Sequence, residues 1–180
     1  MKFFIFFGTL RRIREEFQKM NRKWLVWIPV LLWMGIIFYS SAQPYKKQDM
    51  RSDIEKYIPS QFVEEKFSGV SIDYGGGTPV SIENKGVGGF VEFFLRKGAH
   101  FTVFLILGAL SYHALHRSGC SRMRSFVFAL LIVAGYATFD EIHQSFTGDR
   151  TPMWQDSVLD TSGGLTGIII SNWFWHRKRS

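Results

Sequence analysis

The sequence predicts an all-α membrane protein, a four-helix transmembrane bundle with an extracytoplasmic loop insertion. Two observations lead to this fold class. The apolar residues are gathered into four blocks, and the basic residues cluster at alternate boundaries of those blocks. A helix needs about 20 apolar residues to cross the hydrocarbon core of a bilayer. The chain of 180 residues is long enough for one such domain.

The predicted spans cover residues of about 24–42, 98–116, 124–144 and 155–175. The first contains an uncharged run of nineteen residues, Trp24 to Ala42. The third has only fifteen uncharged residues, Ser125 to Phe139, before its polar end. Fifteen residues cover about 22 Å of a core about 30 Å thick, so this helix must either continue through Asp140, Glu141 and Gln144 or tuck against a deep polar pocket. The fourth span requires Asp160 to lie near one end.

The distribution of charge predicts the orientation. The net charge is +7, and the basic residues are unevenly placed: seven precede the first span, three lie between the second and third, and three end the chain. Only Arg150 is basic between the third and fourth spans. Basic residues concentrate on the cytoplasmic side of membrane proteins. We therefore expect a multi-pass protein of the cell membrane with both termini in the cytoplasm, and no nucleic-acid partner.

The chain ends are predicted to be cytoplasmic. Residues 1–23 form a basic, amphipathic segment or, alternatively, a frayed tail that only sets orientation; residues 177–180 form a basic tail. Ser41 and Ala42 resemble the end of a cleavable signal, but the apolar run exceeds the usual 7–15 residues or so, which favours an uncleaved anchor. The single cysteine, Cys120, lies in a predicted cytoplasmic turn and excludes an intrachain disulfide.

The loop of residues 43–97 is predicted to lie outside, because its eight basic and eight acidic residues balance. Its pattern predicts helices over Met50–Tyr57 and Ser60–Phe67. It also predicts short strands over Val70–Tyr74 and Pro79–Glu83, around a glycine-rich turn. No Gly-Lys-Ser/Thr follows the glycines, so they do not form a phosphate-binding loop.

The polar residues near the membrane gather at one depth. Asp140–Gly164 is a dense polar stretch between two apolar blocks, and the predicted topology places its start and end at the outer leaflet. Lys97 and His100 open the second span at the same depth. Polar groups there are costly unless they are paired, hydrated or functional. We therefore expect these groups to meet at the outer end of the bundle.

Helical spacing supports that convergence. Asp140, His143 and Gln144 are spaced to share one helix face. Asp156 and Asp160 are also four apart, and their stripe continues into glycines at 163 and 167. Small residues four apart allow a neighbouring helix to approach closely. The acidic stripe should therefore face the interior of the bundle.

Three functions remain open for this cluster. As a purely structural network, Lys97 and Arg150 would neutralise the carboxylates. As a binding site, they would recognise the anion of a lipid headgroup or cell-wall precursor. As a catalytic site, neighbouring carboxylates and a histidine would exchange protons. The candidate catalytic residues are Glu141, Asp140 and His100, and the candidate binding residues are Lys97, Gln144, Arg150, Asp156 and Asp160.

The sequence predicts neither a metal ion nor a cofactor. It contains no HExxH motif and no paired Cys/His spacing of a structural zinc site. A metal-dependent version of the catalytic hypothesis would use His100, His143, Asp140 or Glu141 as ligands. The predicted partners are membrane lipids and a cell-wall precursor or lipid headgroup.

Four blocks in order resemble the VanZ-like family, membrane proteins associated with teicoplanin (glycopeptide) resistance. They are FYSSAQP at 38–44, RKGAHF at 96–101, DEIHQSFTGDR at 140–150 and DSVLDTSGG at 156–164. The resemblance covers most of residues 24–176 and implies a four-span membrane domain. It implies functional positions at Lys97, His100, Asp140, Glu141, Gln144, Arg150 and Asp156.

Three positions depart from the family pattern. Phe104 stands where the family often has tyrosine, Asp160 stands at a usual asparagine, and Arg96 replaces a common acidic residue. The resemblance implies a role in the cell envelope related to the glycopeptide response. The alternative is a membrane-embedded enzyme that acts by acid/base chemistry on a lipid-linked or cell-wall substrate.

Overall fold

The computed structural model describes residues 23–43, 49–75, 77–146 and 153–177. These residues form six α-helices and no strand. The helices are α1 (Ile28–Ser41), α2 (Arg51–Tyr57), α3 (Ser60–Phe67), α4 (Ile82–Arg117), α5 (Arg122–Ser145) and α6 (Trp154–Arg177). Outside the described residues lie residues 1–22 of the predicted amphipathic segment (1–23), residues 178–180 of the predicted basic tail, and Asp149 and Arg150.

Within the described residues, three helices are long and apolar enough to cross a membrane: Lys23–Ser41, which includes α1, together with α4 and α5. Helix α5 extends over 24 residues, which is about 36 Å and enough for the hydrocarbon core. The continuation of this helix through Asp140 and Glu141, one of the two predicted alternatives, is therefore confirmed. Helix α6 has the same length, and its crossing of the membrane stays a prediction.

Helices α4 and α6 run parallel to each other. Lys97 contacts Asp156 near one end of the pair, and Tyr112 donates a hydrogen bond to Asn172 at 2.8 Å near the other. Helix α5 connects them in the opposite direction, since Ser157 at the start of α6 approaches the carbonyl of Ala137 late in α5. This up-and-down arrangement is what the predicted topology requires.

Helix α1 packs across α4 and α5. The indole of Trp33 donates to the carbonyl of Val103 at 2.8 Å, and the hydroxyl of Tyr136 donates to the carbonyl of Met34 at 2.6 Å. Both acceptors are backbone carbonyls inside helices. Such bonds fix the depth of α1 against its neighbours, because a helix offers few polar groups on its apolar faces.

Glycines allow α4 and α6 to approach backbone to backbone. A Cβ atom added to Gly163 would lie under 3 Å from the carbonyl of Phe101, and one added to Gly167 would collide with Leu105 in the same way. Gly108 of α4 lies equally close to the backbone of α6. The predicted close approach at the small-residue pair is confirmed, and it brings the acidic stripe of α6 against α4.

The apolar core lies between the four long helices. Phe104, Leu107, Val133 and Ile168 are completely or almost completely buried there. Large apolar side chains also cover the outside of the bundle, and they include Leu31, Leu131 and Trp173. An apolar outer surface is expected for helices that face lipid.

The loop folds into a small unit beside the start of α4. Val63, Val80, Val87 and Phe90 form a second apolar cluster there. The predicted α2 and α3 are confirmed, with α2 beginning one residue later. The two predicted strands are wrong, because the only pairing in this part of the described chain is an isolated bridge between Ile72 and Val80. The second strand was expected to reach Glu83, whereas α4 already begins at Ile82.

Helix α4 is longer than the predicted second span. It covers 36 residues with a kink at Gly86, where φ is +68°. The part after the kink, residues 87–117, alone measures about 46 Å, more than the hydrocarbon core needs. The residues of α4 before position 98 therefore extend beyond the hydrocarbon core of the bilayer. There they pack against the folded loop.

Candidate functional site

A cavity of about 640 Å³ lies between the folded loop and one end of the long helices. Tyr74 and Val80 of the loop line one side, Lys97 and His100 of α4 line another, and Glu141 of α5 contributes to a third. The cavity therefore joins segments that are far apart in the sequence. Most of the predicted site residues line it or lie directly behind it.

Lys97 is the cation that joins the cavity to α6. Its Nζ atom lies 2.5 Å from Oδ1 of Asp156. The same Nζ atom lies 4.5 Å from the ring centre of Tyr74 and 5.5 Å from that of Phe93. Aromatic faces attract a cation. Lys97 is thus held by one carboxylate and two rings, and its side chain is 18% exposed.

The phenol of Tyr74 is buried and has no hydrogen-bond partner of good geometry among the described residues. Burial raises the pKa of Tyr74 well above its ordinary value, and the nearby carboxylate of Asp156 raises it further. The phenol therefore remains neutral and can donate a proton in a hydrogen bond at any physiological pH.

A second charged group in the cavity wall, Glu92, is not among the site residues that the sequence predicts. Glu92 is 2% exposed. It accepts from Arg96 at 2.5 Å and lies 3.6 Å from Arg51 of α2. The spacing of Glu92 and Arg96, four residues apart, is a helical ion-pair signal. The predicted loop of residues 43–97 includes both residues, so the sequence predicts no helical ion pair there.

Glu141 holds the start of α6. Its Oε1 atom accepts a hydrogen bond of 2.6 Å from the backbone N–H of Met153, the residue before α6. One carboxylate oxygen is thus engaged in fixing a helix end, while the side chain also lines the cavity. Both a structural and a chemical role are open to this residue.

Asp140 and Gln144 lie deeper than Glu141. Asp140 is 1% exposed and Gln144 is 5% exposed. The amide of Gln144 donates to Oδ2 of Asp140 at 2.7 Å and reaches Oγ of Ser41 at 3.4 Å. The predicted shared face of Asp140 and Gln144 is confirmed. It points into the bundle, where Gln144 connects α5 to the end of α1.

His143 does not belong to that face. Its ring stacks on Phe38 with centroids 4.2 Å apart and lies parallel to Phe139 at 6.2 Å. The expectation that Asp140, His143 and Gln144 act from one surface is therefore wrong for the histidine. Both His143 and Gln144 contact α1, but the His143 ring stacks among aromatic side chains while the Gln144 amide bonds to Asp140.

His100 and Asp160 form a pair behind the cavity. Nδ1 of His100 lies 3.4 Å from Oδ2 of Asp160. The histidine side chain is 22% exposed, while that of Asp160 is 4% exposed. The other oxygen of Asp160, Oδ1, is buried and has no hydrogen-bond partner among the described residues.

The structure brings together every predicted site residue that it describes. These are Lys97, His100, Asp140, Glu141, Gln144, Asp156 and Asp160. Arg150, the second predicted cation, lies outside the described residues. The charged groups come from α4, α5 and α6, so they meet only through packing of the long helices.

Comparison with protein families matches residues 26–175 to the family described as VanZ/LLP1. Comparisons with curated proteins and with solved structures gave no match. The matched region covers most of the chain and includes all four long helices and the cavity. The predicted resemblance is confirmed, and the chain belongs to the VanZ/LLP1 family.

Proposed function

We propose that this protein acts in the cell envelope by binding an anionic headgroup in its cavity, and that it thereby modulates the response to teicoplanin-type glycopeptides. The observation that carries the proposal is the position of the cavity. It lies at one end of a bundle of apolar helices and is lined by charged side chains from three directions.

The charges of the wall suit an anionic or zwitterionic ligand. Four basic residues, Arg51, Lys85, Arg96 and Lys97, stand against three acidic ones. Lys85 has no acidic partner among the described residues, whereas Lys97 is paired with Asp156. Lysine and arginine side chains in a partly enclosed site are the usual recognition elements for phosphate and carboxylate groups.

The proposal that the cavity faces the outside of the cell rests on the basic residues at the opposite end of the bundle. Arg117 ends α4 and Arg122 begins α5 there, with Arg177 at the end of α6. Basic residues favour the cytoplasmic side. The cavity then opens at the outer leaflet, where lipid-linked cell-wall precursors and glycopeptides meet. Four membrane crossings with both termini inside complete this proposal.

The test compares teicoplanin susceptibility and surface binding of labelled teicoplanin in cells that carry wild-type protein, Lys97→Ala or Lys56→Ala. Lys56 is an exposed lysine of α2 outside the cavity. We expect the wild type and Lys56→Ala to lower teicoplanin binding equally, and Lys97→Ala to lose the effect at equal membrane abundance. A wild-type protein without effect on teicoplanin would contradict the glycopeptide role. A Lys97→Ala variant that still lowers teicoplanin binding would exclude this cavity as the binding site.

A second function is favoured by one further observation. His100 lines the cavity and contacts the buried Asp160, while Glu141 lines the same cavity from α5. A histidine oriented by a carboxylate, with a second carboxylate nearby, can transfer protons. The alternative is therefore an enzyme that acts by acid/base chemistry on a lipid-linked or cell-wall substrate.

A further inference from the structure

We propose that His100, Asp140 and Asp160 bind a divalent transition-metal ion behind the cavity. Each residue offers one ligand atom, and these atoms lie within 4.8 Å of one another. Metal–ligand bonds of about 2.0–2.2 Å place ligand atoms closer together than this limit, so a bound ion would draw the three side chains inward. The three ligands come from α4, α5 and α6.

Burial of the carboxylates is the second observation. Asp140 is 1% exposed and Asp160 is 2% exposed. The Oδ1 atom of Asp160 has no hydrogen-bond partner among the described residues. A buried polar atom without a partner is costly, and a buried charge is normally paired or bound to a metal. The unpartnered oxygen therefore indicates a missing positive partner.

The protein side chains around the group supply little positive charge. Asp140 is hydrogen-bonded by Gln144, which is neutral. The ion-pair partner of Asp160 among the described residues is His100, at 3.4 Å. Lys97, the nearest lysine along α4, lies 2.5 Å from Asp156 instead. Two buried carboxylates thus face one histidine, and a divalent cation would balance both.

The ligand types indicate which ions fit. Carboxylates alone suit Mg²⁺, Ca²⁺ and Mn²⁺, whereas imidazole suits Zn²⁺ and other transition metals. One imidazole with two carboxylates favours Mn²⁺ or Zn²⁺. Three protein ligands leave at least one coordination position open, as catalytic metal sites do. His100 lines the cavity and is partly exposed, so an ion or a ligand atom can reach the site from there.

This proposal differs from the expectation drawn from the sequence, which predicted no metal and named His143 and Glu141 as alternative ligands. In the structure the ring of His143 stacks on Phe38, and a carboxylate oxygen of Glu141 accepts a hydrogen bond from the backbone N–H of Met153. Asp160 takes their place. The proposal stands apart from the headgroup function, because binding of an ion is measured without any envelope ligand.

The experiment titrates Mn²⁺ into the purified full-length protein in detergent and follows the free-ion signal by electron paramagnetic resonance, with Zn²⁺ as competitor. We expect one ion for each chain. Asp160→Asn and Asp140→Asn should each weaken binding at least about 10-fold. Glu65→Gln is the matched control, since Glu65 is an exposed carboxylate of α3 outside both the metal group and the cavity. Its affinity should remain close to that of the wild type.

Thermal unfolding separates metal binding from a failure to fold. Without metal, Asp160→Asn should be at least as stable as the wild type, because it removes a buried charge with an unpartnered oxygen. Mn²⁺ should then raise the unfolding temperature of the wild type and leave Asp160→Asn unchanged. Absence of saturable Mn²⁺ and Zn²⁺ binding by the wild type would overturn the proposal. Equal weakening by Glu65→Gln and Asp160→Asn would also overturn it, since general negative charge would then explain the binding.

Discussion

The ammonium of Lys97 lies 2.5 Å from the carboxylate of Asp156, although 59 positions separate the two residues in the chain. The pair connects the parallel helices α4 and α6 next to the cavity. Each side chain is only about one-fifth exposed, at 18% and 23%. Removing one member of such a pair leaves the other charge poorly solvated, whereas removing both avoids that penalty.

A double-mutant cycle tests this relationship. We expect Lys97→Met and Asp156→Asn each to lower the free energy of unfolding. The double variant should lower it by less than the sum of the two single effects. Contacting pairs commonly show coupling of about 0.5–3 kcal/mol. The measurement is equilibrium unfolding of the purified protein in detergent. Strictly additive effects would mean that the pair contributes nothing beyond its separate residues.

Steric contact at the glycines gives a second prediction. Gly163→Leu should destabilise the protein by at least about 1–3 kcal/mol, because its side chain would collide with the backbone of α4 at Phe101. Gly135→Ala is the matched control on α5, where nothing lies within 4 Å of an added Cβ. Thermal unfolding in detergent should show a lower transition for the first variant and an unchanged or higher one for the second. Equal stability of both variants would refute the close approach.

Substitution of Glu141 distinguishes a catalytic role of the site from a purely structural one. Glu141→Gln keeps an oxygen that can accept the hydrogen bond from Met153, but it removes the carboxylate charge. If the site is catalytic, we expect loss of the cellular effect at normal stability and abundance. If the residue only holds α6, Glu141→Gln should be active, and Glu141→Ala should lower the unfolding temperature. Retained activity in both Glu141→Gln and His100→Ala would exclude acid/base catalysis by these residues.

The orientation predicts which thiols can be labelled from outside the cell. Ser71 is exposed in the folded loop, and Cys120 lies between α4 and α5 at the other end of the bundle. A membrane-impermeant maleimide should label Ser71→Cys in intact cells. It should reach Cys120 only after the membrane is permeabilised. Labelling of Cys120 alone in intact cells would reverse the proposed orientation.

The buried phenol of Tyr74 predicts a dependence on alkaline pH. Its folded-state pKa is raised above the ordinary value of 10.0, chiefly by burial. The folded state therefore retains this proton more strongly than the unfolded state does. The stability associated with the phenol should be complete below about pH 10 and decline as the pH rises further. The difference in unfolding temperature between wild type and Tyr74→Phe should shift in that range, and a constant difference would contradict the burial of the phenol.

Local patterns in the chain were sufficient to predict much of the fold. Uncharged blocks located the long helices, and the spacing of Asp140 with Gln144 and of Gly163 with Gly167 identified their inward faces. In the loop, the alternation of apolar and polar residues around Ile72 and Val80 predicted strands, and the structure has only an isolated bridge there. Tertiary packing overrode that signal, because Val80 and Val87 bury together against α3 and the start of α4.

The sequence by itself determined that this is a helical membrane protein whose polar residues meet at one end, because apolar length, charge asymmetry and helical period are local properties. The four motif blocks separately indicated the VanZ-like family. Only the tertiary structure decided which polar groups touch. It paired Lys97 with Asp156, stacked His143 on Phe38 and placed Glu92 in the cavity wall. It also left one oxygen of Asp160 without a hydrogen-bond partner in the described part of the chain. Those outcomes depend on the rotation and depth of each helix, which are set by backbone contact at the glycines and by the side chains that fill the remaining space.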